Sequence, residues 1–208
     1  MVTSEIIYRY FDHLNDRQKE QFDALFEIYA HYNAQVNVIS RKDMDNFYIH
    51  HVLHCLALAK YADFKTVRHV VDIGTGGGFP GIPLGILFPE IEFFLVDSIG
   101  KKVNIVRSVC DDIGLRNIQS AHSRVEDLNQ KFDMAVARAV APAEKLAFWM
   151  KGQFKKGTNM ALLKGGDLTE EMEEMVNRFP KTKYRFHEIQ KDFKEPFFET
   201  KKVVLVKQ

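Results

Sequence analysis

Residues 70–81, read as VVDIGTGGGFPG, constrain the fold more than any other stretch of the chain. An apolar run leads directly into a segment with five glycines and one proline. Short apolar runs rich in β-branched residues are typical of strands buried on both faces. Proline is favoured in the first turn of a helix, where its missing amide hydrogen is not needed. The sequence therefore predicts a strand, a glycine-rich loop and a helix in immediate succession.

The alternation of short apolar runs and helical segments continues to the end of the chain. Helices are predicted at residues 101–113, 143–151 and 167–178, and strands at 67–73, 91–96, 117–121, 132–139, 159–164 and 199–206. Alternating strands and helices indicate an α/β fold, a doubly wound, mostly parallel, Rossmann-like sheet with right-handed crossovers. In such sheets the ligand lies beyond the carboxyl ends of the strands, so the residues that follow each strand are the candidate site.

The first third of the chain has a different pattern. Apolar side chains recur there at three- and four-residue spacing, which predicts helices. We expect these helices to begin at Asp16, which is a candidate cap, and again at Asp43 or Asp45. The predicted organisation is an N-terminal helical lobe, residues 1–64, lying outside a sheet domain, residues 65–208.

Composition excludes several classes of protein. The net charge is +1 and 46% of the residues are hydrophobic, so the chain does not bind nucleic acid merely by being basic throughout. The charge is uneven, because residues 181–208 have eight Lys or Arg against four Asp or Glu. Cys55 and Cys110 lie far apart, as in reduced proteins without a disulfide framework. No stretch reaches membrane-spanning length. We expect a monomeric, cytoplasmic protein.

The glycine loop can be read in two frames that imply different chemistry. Gly76-x-Gly78-x-x-Gly81 satisfies the fingerprint of nicotinamide-dependent oxidoreductases. Asp72-x-Gly74-x-Gly76-x-Gly78 instead places a carboxylate two residues before the first glycine. A pyrophosphate would be repelled there, whereas the ammonium and sulfonium groups of S-adenosylmethionine would be attracted. A tight turn without a ligand is a third reading, but such a turn seldom needs five glycines.

Two further strand ends favour the S-adenosylmethionine frame. Asp97 follows the second strand, where a carboxylate accepts hydrogen bonds from a ribose diol in either kind of enzyme. Val125 and Glu126 follow the third strand, where a backbone amide and an acid suit an adenine edge and its exocyclic amine. For Glu126 the alternative is a favourable charge at a helix N-terminus. Phe79, in the glycine loop, is the aromatic residue that we predict to contact a cofactor or a base.

Cationic residues follow the same strand ends. Lys101, Arg124, Arg138 and Lys164 come after the second, third, fourth and fifth strands. On one rim of the sheet they would hold RNA phosphates, and an arginine there can also donate to guanine O6. For Lys101 the alternative is a solvated lysine at a helix start. Arg41 in the N-terminal lobe would extend the RNA track, and Arg138 and Lys164 are the candidates for the reacting centre.

These segments together resemble a known family. The chain is similar to the glucose-inhibited division protein B family in NVISRKD, HVLHCL, DIGTGGGFPGIPL, FFLVDSIGKKVNIVR, HSRVEDL, FDMAVARAVAP and LLKGGD, which span nearly its whole length. The resemblance implies a class I methyltransferase that modifies N7 of one guanine in 16S small-subunit ribosomal RNA. It also implies cofactor contacts at Gly74, Phe79, Val125, Glu126 and Arg138, with Asp97 at the ribose. His54 and Cys55 stand where the family more often has Asp and Ser.

The residues that are missing from the strand ends fit methylation of guanine N7. This atom has an exposed lone pair and no proton, so methyl transfer to it requires positioning and exclusion of water rather than a general base. The fourth strand is followed by Ala-Pro and not by the Asn-Pro-Pro-aromatic tetrapeptide of exocyclic-amine methyltransferases, and Cys110 falls inside a helix. A small-molecule methyltransferase with residues 1–64 as a lid, and a non-catalytic ribosome-associated binding module, remain alternatives.

The histidines of the N-terminal lobe suggest a different kind of site. His50, His51, His54 and Cys55 lie close together on a predicted helix, as ligands of a zinc ion do. No second pair of ligands accompanies them elsewhere in the sequence. Packing or surface roles are therefore preferred, and no metal is expected.

Overall fold

The computed structural model, which describes residues 2–157 and 159–207, has a seven-stranded sheet at its centre. The strands are β1 (His69–Ile73), β2 (Glu92–Asp97), β3 (Ile118–His122), β4 (Met134–Arg138), β5 (Asn159–Gly165), β6 (Lys183–Glu188) and β7 (Lys201–Lys207). They lie in the order β3-β2-β1-β4-β5-β7-β6. The first five are mutually parallel, and β7 runs antiparallel to both β5 and β6. The predicted α/β, doubly wound, mostly parallel sheet is confirmed.

The N-terminal lobe is helical, as predicted. It contains α1 (Glu5–Tyr10), α2 (Asp16–Asn33), a 3-10 helix (Arg41–Asn46), a π-helix (Phe47–Leu53), α3 (His54–Leu56) and α4 (Leu58–Tyr61). The cap of α2 is Asn15 and not Asp16, because the Asn15 side chain accepts from the amide of Gln18 while the Gln18 side chain accepts from the amide of Asn15. Asp43 does not cap a regular helix either, since its carboxylate binds two histidines instead.

Four helices belong to the sheet domain: α5 (Gly81–Leu87), α6 (Gly100–Asp112), α7 (Ala143–Trp149) and α8 (Thr169–Arg178). Successive residues of a strand point to opposite faces, so Val70 of β1 joins one apolar cluster and Val71 joins another. The first cluster contains α5, α6 and much of the N-terminal lobe, and the second contains α7 and α8. The lobe thus shares a core with one face of the sheet, and its division from the sheet domain at residue 64 stays a prediction.

The sequence-based prediction lacked one strand and one α-helix, besides the short 3-10 helices Val125–Asp127, Ile189–Lys191 and Pro196–Phe198. The strand β6 has exposed side chains at most positions, including Tyr184 and Phe186, so no apolar run marks it. The helix α1 is only six residues long. In the part of the chain that the structure describes, no helix is both long and apolar enough to cross a membrane.

Candidate functional site

A crevice opens at the carboxyl ends of β1, β2, β3 and β4. It consists of two adjoining cavities, of about 280 and 360 Å³, whose walls share Gly74, Asp97 and Val140. The first cavity extends past the ends of β2 and β3 to Trp149 of α7. The second follows the glycine loop towards Val38 of the N-terminal lobe. The crevice therefore lies where ligands bind in doubly wound sheets, and its size suits a nucleoside-sized ligand.

The glycine loop presents bare backbone to the crevice. Gly74 and Gly76 have φ angles of 63° and 59°, in the left-handed region that favours glycine. A Cβ atom on Gly76 would meet no atom within 4 Å, whereas one on Gly74 would lie 2.8 Å from the methyl carbons of Val140. A Cβ atom on Gly78 would overlap the side chain of Ile82. Gly76 therefore leaves space for a ligand, and the other two glycines allow the loop to pack.

Asp72 lies fully buried beneath the loop, paired with Leu95 of β2 and Val136 of β4. Its Oδ2 accepts hydrogen bonds from the Thr75 hydroxyl at 2.6 Å and from the Gly81 amide at 2.8 Å, while its Oδ1 has no hydrogen-bond partner among the residues that the structure describes. Burial raises the pKa of this carboxyl to about 7. Asp72 joins the end of β1 to the start of α5 and lines neither cavity, so direct contact with a cofactor stays a prediction.

Asp97, at the end of β2, lines both cavities. Its Oδ2 accepts from the Gly76 amide at 2.8 Å and its Oδ1 from the Ile99 amide at 2.9 Å. The carboxylate therefore fixes the glycine loop against the neighbouring strand. Each carboxylate oxygen can accept a second hydrogen bond, so Asp97 is still able to receive a diol.

Val125 and Glu126 belong to a short 3-10 helix that follows β3, and both line the first cavity. Val125 is buried, and its carbonyl oxygen accepts from Gln153 at 2.6 Å. Glu126 is exposed and lies 3.8 Å from the guanidinium of Arg124, which is exposed at the edge of the same cavity. An exposed pair at that distance contributes little to stability, so both charges remain free for a ligand.

Arg138, the last residue of β4, lines the second cavity. Its guanidinium donates to Nδ1 of His51 at 3.1 Å and to the carbonyl oxygen of His50 at 3.4 Å. It also lies 4.8 Å from the centre of the Phe79 ring. Since an imidazole, a carbonyl and an aromatic face are all uncharged, these contacts hold Arg138 without neutralising it.

Phe79 lines the second cavity but is only 2% exposed. Its ring centre lies 5.0 Å from that of Tyr29 and 6.1 Å from that of Phe47, both in the N-terminal lobe. Phe79 thus packs the glycine loop against the lobe. Its predicted contact with a cofactor or a base is not tested by this packing and stays a prediction.

The remaining predicted cations are in different surroundings. The Lys164 side chain is 11% exposed, pairs with Glu171 at 2.7 Å and donates to the carbonyl oxygen of Ala141 at 2.6 Å. Arg41 and Lys101 are exposed on the surface. None of these three predicted cations lines the crevice, whereas Lys102, the neighbour of Lys101, lines the second cavity.

Sequence reasoning missed the polar groups behind Arg138. Asp43 binds both His50 and His51, and His51 in turn contacts Arg138. The only signal for this arrangement is an aspartate seven and eight residues before two histidines, at roughly two helical turns. Among residues 2–157 and 159–207, no group of three or more His, Cys, Asp or Glu side chains is arranged to hold a metal ion.

Comparison with known proteins supplies the family. The model of the rRNA small subunit methyltransferase G family matches residues 18–199. The chain belongs to that family. A relative from Porphyromonas gingivalis, named ribosomal RNA small subunit methyltransferase G, is 46% identical, over 97% of this chain and 92% of its own length. A relative of the same name from Bacteroides thetaiotaomicron is 48% identical, over 96% and 98%. The resemblance stated from the sequence is confirmed.

Solved structures of methyltransferases share the fold. A ribosomal protein L11 methylase from Lactobacillus delbrueckii has a TM-score of 0.57 at 15% identity, covering 75% of this chain and 76% of its own. A precorrin-6y C5,15-methyltransferase from Geobacter metallireducens has a TM-score of 0.56 at 13% identity, covering 75% and 88%. Together with the family, this fold identifies the protein as a methyltransferase of class I architecture, and the oxidoreductase alternative is set aside.

Proposed function

We propose that this methyltransferase transfers a methyl group from S-adenosylmethionine to N7 of a guanine in 16S ribosomal RNA of the small subunit. The observation that carries the proposal is a crevice with open backbone at Gly76, a carboxylate at Asp97 and an unneutralised guanidinium at Arg138. The name shared by the relatives supports the RNA substrate.

The residues present fit S-adenosylmethionine. The ligand would occupy the open space above Gly76, which a side chain would fill in any other residue. Asp97 lines the same cavity and is suited to the ribose hydroxyls. Val125 and Glu126 stand at the adenine end, in the wall of the first cavity. The cofactor supplies an electrophilic methyl group on a sulfonium.

The crevice is suited to an acceptor atom that needs no deprotonation. Among the described residues that line the two cavities there is no Cys, Tyr or His, and the carboxylates are Asp97 and Glu126, both at the proposed nucleoside end. Guanine N7 needs only to be held in line with the methyl carbon, at roughly 3 to 3.5 Å, with water excluded. Arg138 lines the second cavity, and the role proposed for it is to donate to guanine O6 or to an RNA phosphate.

Cations around the mouth of the crevice support an RNA substrate. Lys102 lines the second cavity and Arg124 lines the first. Arg41 and Lys101 line neither cavity but are exposed on the surface, where RNA can reach them. Contacts between such side chains and phosphates make affinity fall as salt rises. We therefore expect RNA binding to be strongly salt-dependent, although the chain as a whole has a net charge of only +1.

The proposal is tested by supplying methyl-labelled S-adenosylmethionine with undermethylated small subunits, with naked 16S ribosomal RNA or with a small-metabolite extract. We expect label in ribosomal RNA, recovered after digestion as N7-methylguanosine. Label confined to small metabolites would overturn the RNA substrate, and label at another atom of guanine would overturn the N7 assignment. Binding of the cofactor is tested separately by thermal stabilisation with S-adenosylhomocysteine, against NADH as a control; saturation at 100 times the dissociation constant adds about 2.7 kcal/mol to the free energy of unfolding.

A further inference from the structure

A chain of hydrogen bonds leads from the N-terminal lobe to Arg138. Asp43, on the 3-10 helix, binds Nδ1 of His50 through Oδ1 and Nε2 of His51 through Oδ2, each at 2.6 Å. Nδ1 of His51 lies 3.1 Å from the Arg138 guanidinium. The His51 side chain is only 13% exposed, whereas that of Asp43 is 31% exposed, so the link between His51 and Arg138 is the better shielded part.

Hydrogen-bond chemistry fixes the tautomer of His51. A guanidinium can only donate, so Nδ1 of His51 must accept from Arg138 and therefore carries no proton. The proton is then on Nε2 and is donated to Asp43. The charged and titratable groups around this ring are Asp43 on the 3-10 helix, Arg138 on β4, and His50 and His54 on its own helical segment. Burial and the Arg138 charge lower the pKa of His51 to about 4, against the opposing effect of Asp43, so the ring is neutral near pH 7.

Local structure holds the ring in this position. The π-helix Phe47–Leu53 winds more widely than an α-helix, and both His50 and His51 reach the same carboxylate from it. π-helical turns frequently occur at functional sites. The His51 ring also packs against Phe47 and Phe79, with ring centres 6.3 and 5.5 Å apart. The imidazole is therefore constrained by its two hydrogen bonds and by two aromatic neighbours.

We propose that Asp43 and His51 are positioning residues, in which Asp43 fixes the neutral tautomer of His51 and His51 orients the Arg138 guanidinium at the crevice. A carboxylate in direct contact with Arg138 would neutralise it, and an imidazolium would repel it. A neutral acceptor holds the guanidinium while leaving its charge and its other donors for the substrate. This inference rests on the role proposed for Arg138 in methyl transfer.

Three variants separate positioning from mere packing. His51→Leu removes both hydrogen bonds, and Asp43→Asn removes the anionic acceptor. His51→Asn keeps an acceptor near the place of Nδ1. We expect His51→Leu and Asp43→Asn to lower kcat for methylation of small subunits by about 30-fold with little change in S-adenosylhomocysteine affinity, somewhat less than the roughly 100-fold cost of a 1 Å misplacement. His51→Asn should recover most of the loss, and His31→Leu, an exposed histidine on α2, should have no effect.

A double variant tests whether His51 acts through Arg138, and NMR spectroscopy tests which nitrogen of His51 carries the proton. In an Arg138→Ala background, His51→Leu should add nothing, because both changes remove the same interaction. If Arg138→Ala leaves kcat unchanged, the role proposed for Arg138 fails; if Arg138→Ala is impaired but His51→Leu and Asp43→Asn are normal, only the present inference is overturned. Nitrogen-15 NMR of the wild-type protein should show His51 protonated at Nε2 alone between pH 5 and 8. A proton on Nδ1 would also overturn the inference, even if the variants failed to fold.

Discussion

Two cations stand at the ends of neighbouring strands, and their surroundings differ. Arg138 of β4 pairs with Leu163 of β5 in the sheet, so Lys164 is only one residue further along. Arg138 is held by a ring nitrogen, a carbonyl oxygen and an aromatic face, all uncharged. Lys164 is held by the carboxylate of Glu171 on α8. Arg138 and Lys164 thus occupy similar positions at the ends of neighbouring strands, but the charge of Arg138 is available to a ligand and that of Lys164 is already paired.

The difference shows that the partner of a cation, and not its place after a strand, decides what it can bind. A buried ion pair has little field left for a substrate phosphate, whereas a cation held by dipoles keeps its full charge. The N-terminal lobe makes this possible at Arg138 by supplying His50 and His51 from far away in the sequence. On the Lys164 side, Glu171 also accepts from the Ala143 amide at 2.7 Å and ties α8 to the start of α7.

The largest expected effect is the loss of the unpaired cation. Arg138→Ala should lower kcat/KM for methylation of small subunits by about 100-fold, because a donor placed at the reacting base contributes about 2.7 kcal/mol in comparable sites. Arg138→Lys should recover only part of the loss, because the compact ammonium lacks the rigid planar fork with which arginine directs its donors to several partners at once. Activity is measured with labelled cofactor at saturating concentration. Arg9→Ala on α1 serves as the control, and normal turnover in Arg138→Ala would remove the residue from the site.

The next largest effect is expected from blocking the crevice while Arg138 and Lys164 are left unchanged. A side chain on Gly76 would occupy space that is open in the structure, so Gly76→Val should weaken S-adenosylhomocysteine binding at least about 30-fold, through steric exclusion together with backbone strain at φ 59°. Isothermal titration calorimetry measures the affinity. Gly152→Val is the matched control, since Gly152 also has a positive φ, of 81°, and open space but lies away from both cavities. Equal losses in the two variants would show that strain, and not the ligand, is responsible.

Low pH should lower the stability of the protein through the region around Arg138, because the neighbours of Arg138 include buried histidines. Burial, with the charges of Arg138 and Lys201, lowers the pKa of His54 to about 3. The folded protein therefore binds fewer protons than the unfolded chain between pH 6.5 and 3, so His54 makes stability fall as the pH is lowered through this range. His51, with a pKa of about 4, acts in the same direction, and Asp72, with a pKa raised to about 7, acts in the opposite one.

His54→Gln isolates one of these contributions. Between pH 6 and 4.5, the free energy of unfolding should fall less steeply in this variant than in the wild type, by about 1.4 kcal/mol for each pH unit. Urea unfolding at several pH values measures both slopes, and ionisable groups common to the two proteins cancel. Parallel pH profiles for wild type and His54→Gln would refute the assignment.

The structural features that could be predicted from the sequence are those that depend on short stretches of the chain. Four of the five parallel strands were predictable because each is mainly an apolar run, whereas β3, Ile118–His122, has only Ile and Ala among polar residues. The glycine loop, Asp97 and Val125 were predictable because they come at or after strand ends. The strand β6 alternates charged and aromatic side chains that remain exposed, so nothing in it resembles a buried strand. The bond from His51 to Arg138 joins residues 87 positions apart. No local pattern encodes such a contact.

The smallest expected effect is at Lys164, and it tests the comparison most directly. The sequence predicted a catalytic and RNA-binding role for this lysine, whereas its ion pair with Glu171 and its bond to Ala141 favour a structural one. Lys164→Ala should lower the free energy of unfolding by about 1 kcal/mol, since it leaves a partly buried carboxylate without its partner. Urea unfolding measures this loss.

The salt dependence of RNA binding shows whether Lys164, like Lys102, contacts an RNA phosphate. If Lys164 contacts no phosphate, the slope of log affinity against log salt is the same in Lys164→Ala and in the wild type, whereas removal of one phosphate contact reduces it by about one. Lys102→Ala is the matched comparison, because Lys102 lines the second cavity and directly follows Lys101 of the predicted RNA track. A reduced slope in Lys164→Ala would mean that RNA displaces Glu171 from the Lys164 ammonium. Lys164 at the end of β5 would then be available to the substrate, as Arg138 at the end of β4 is.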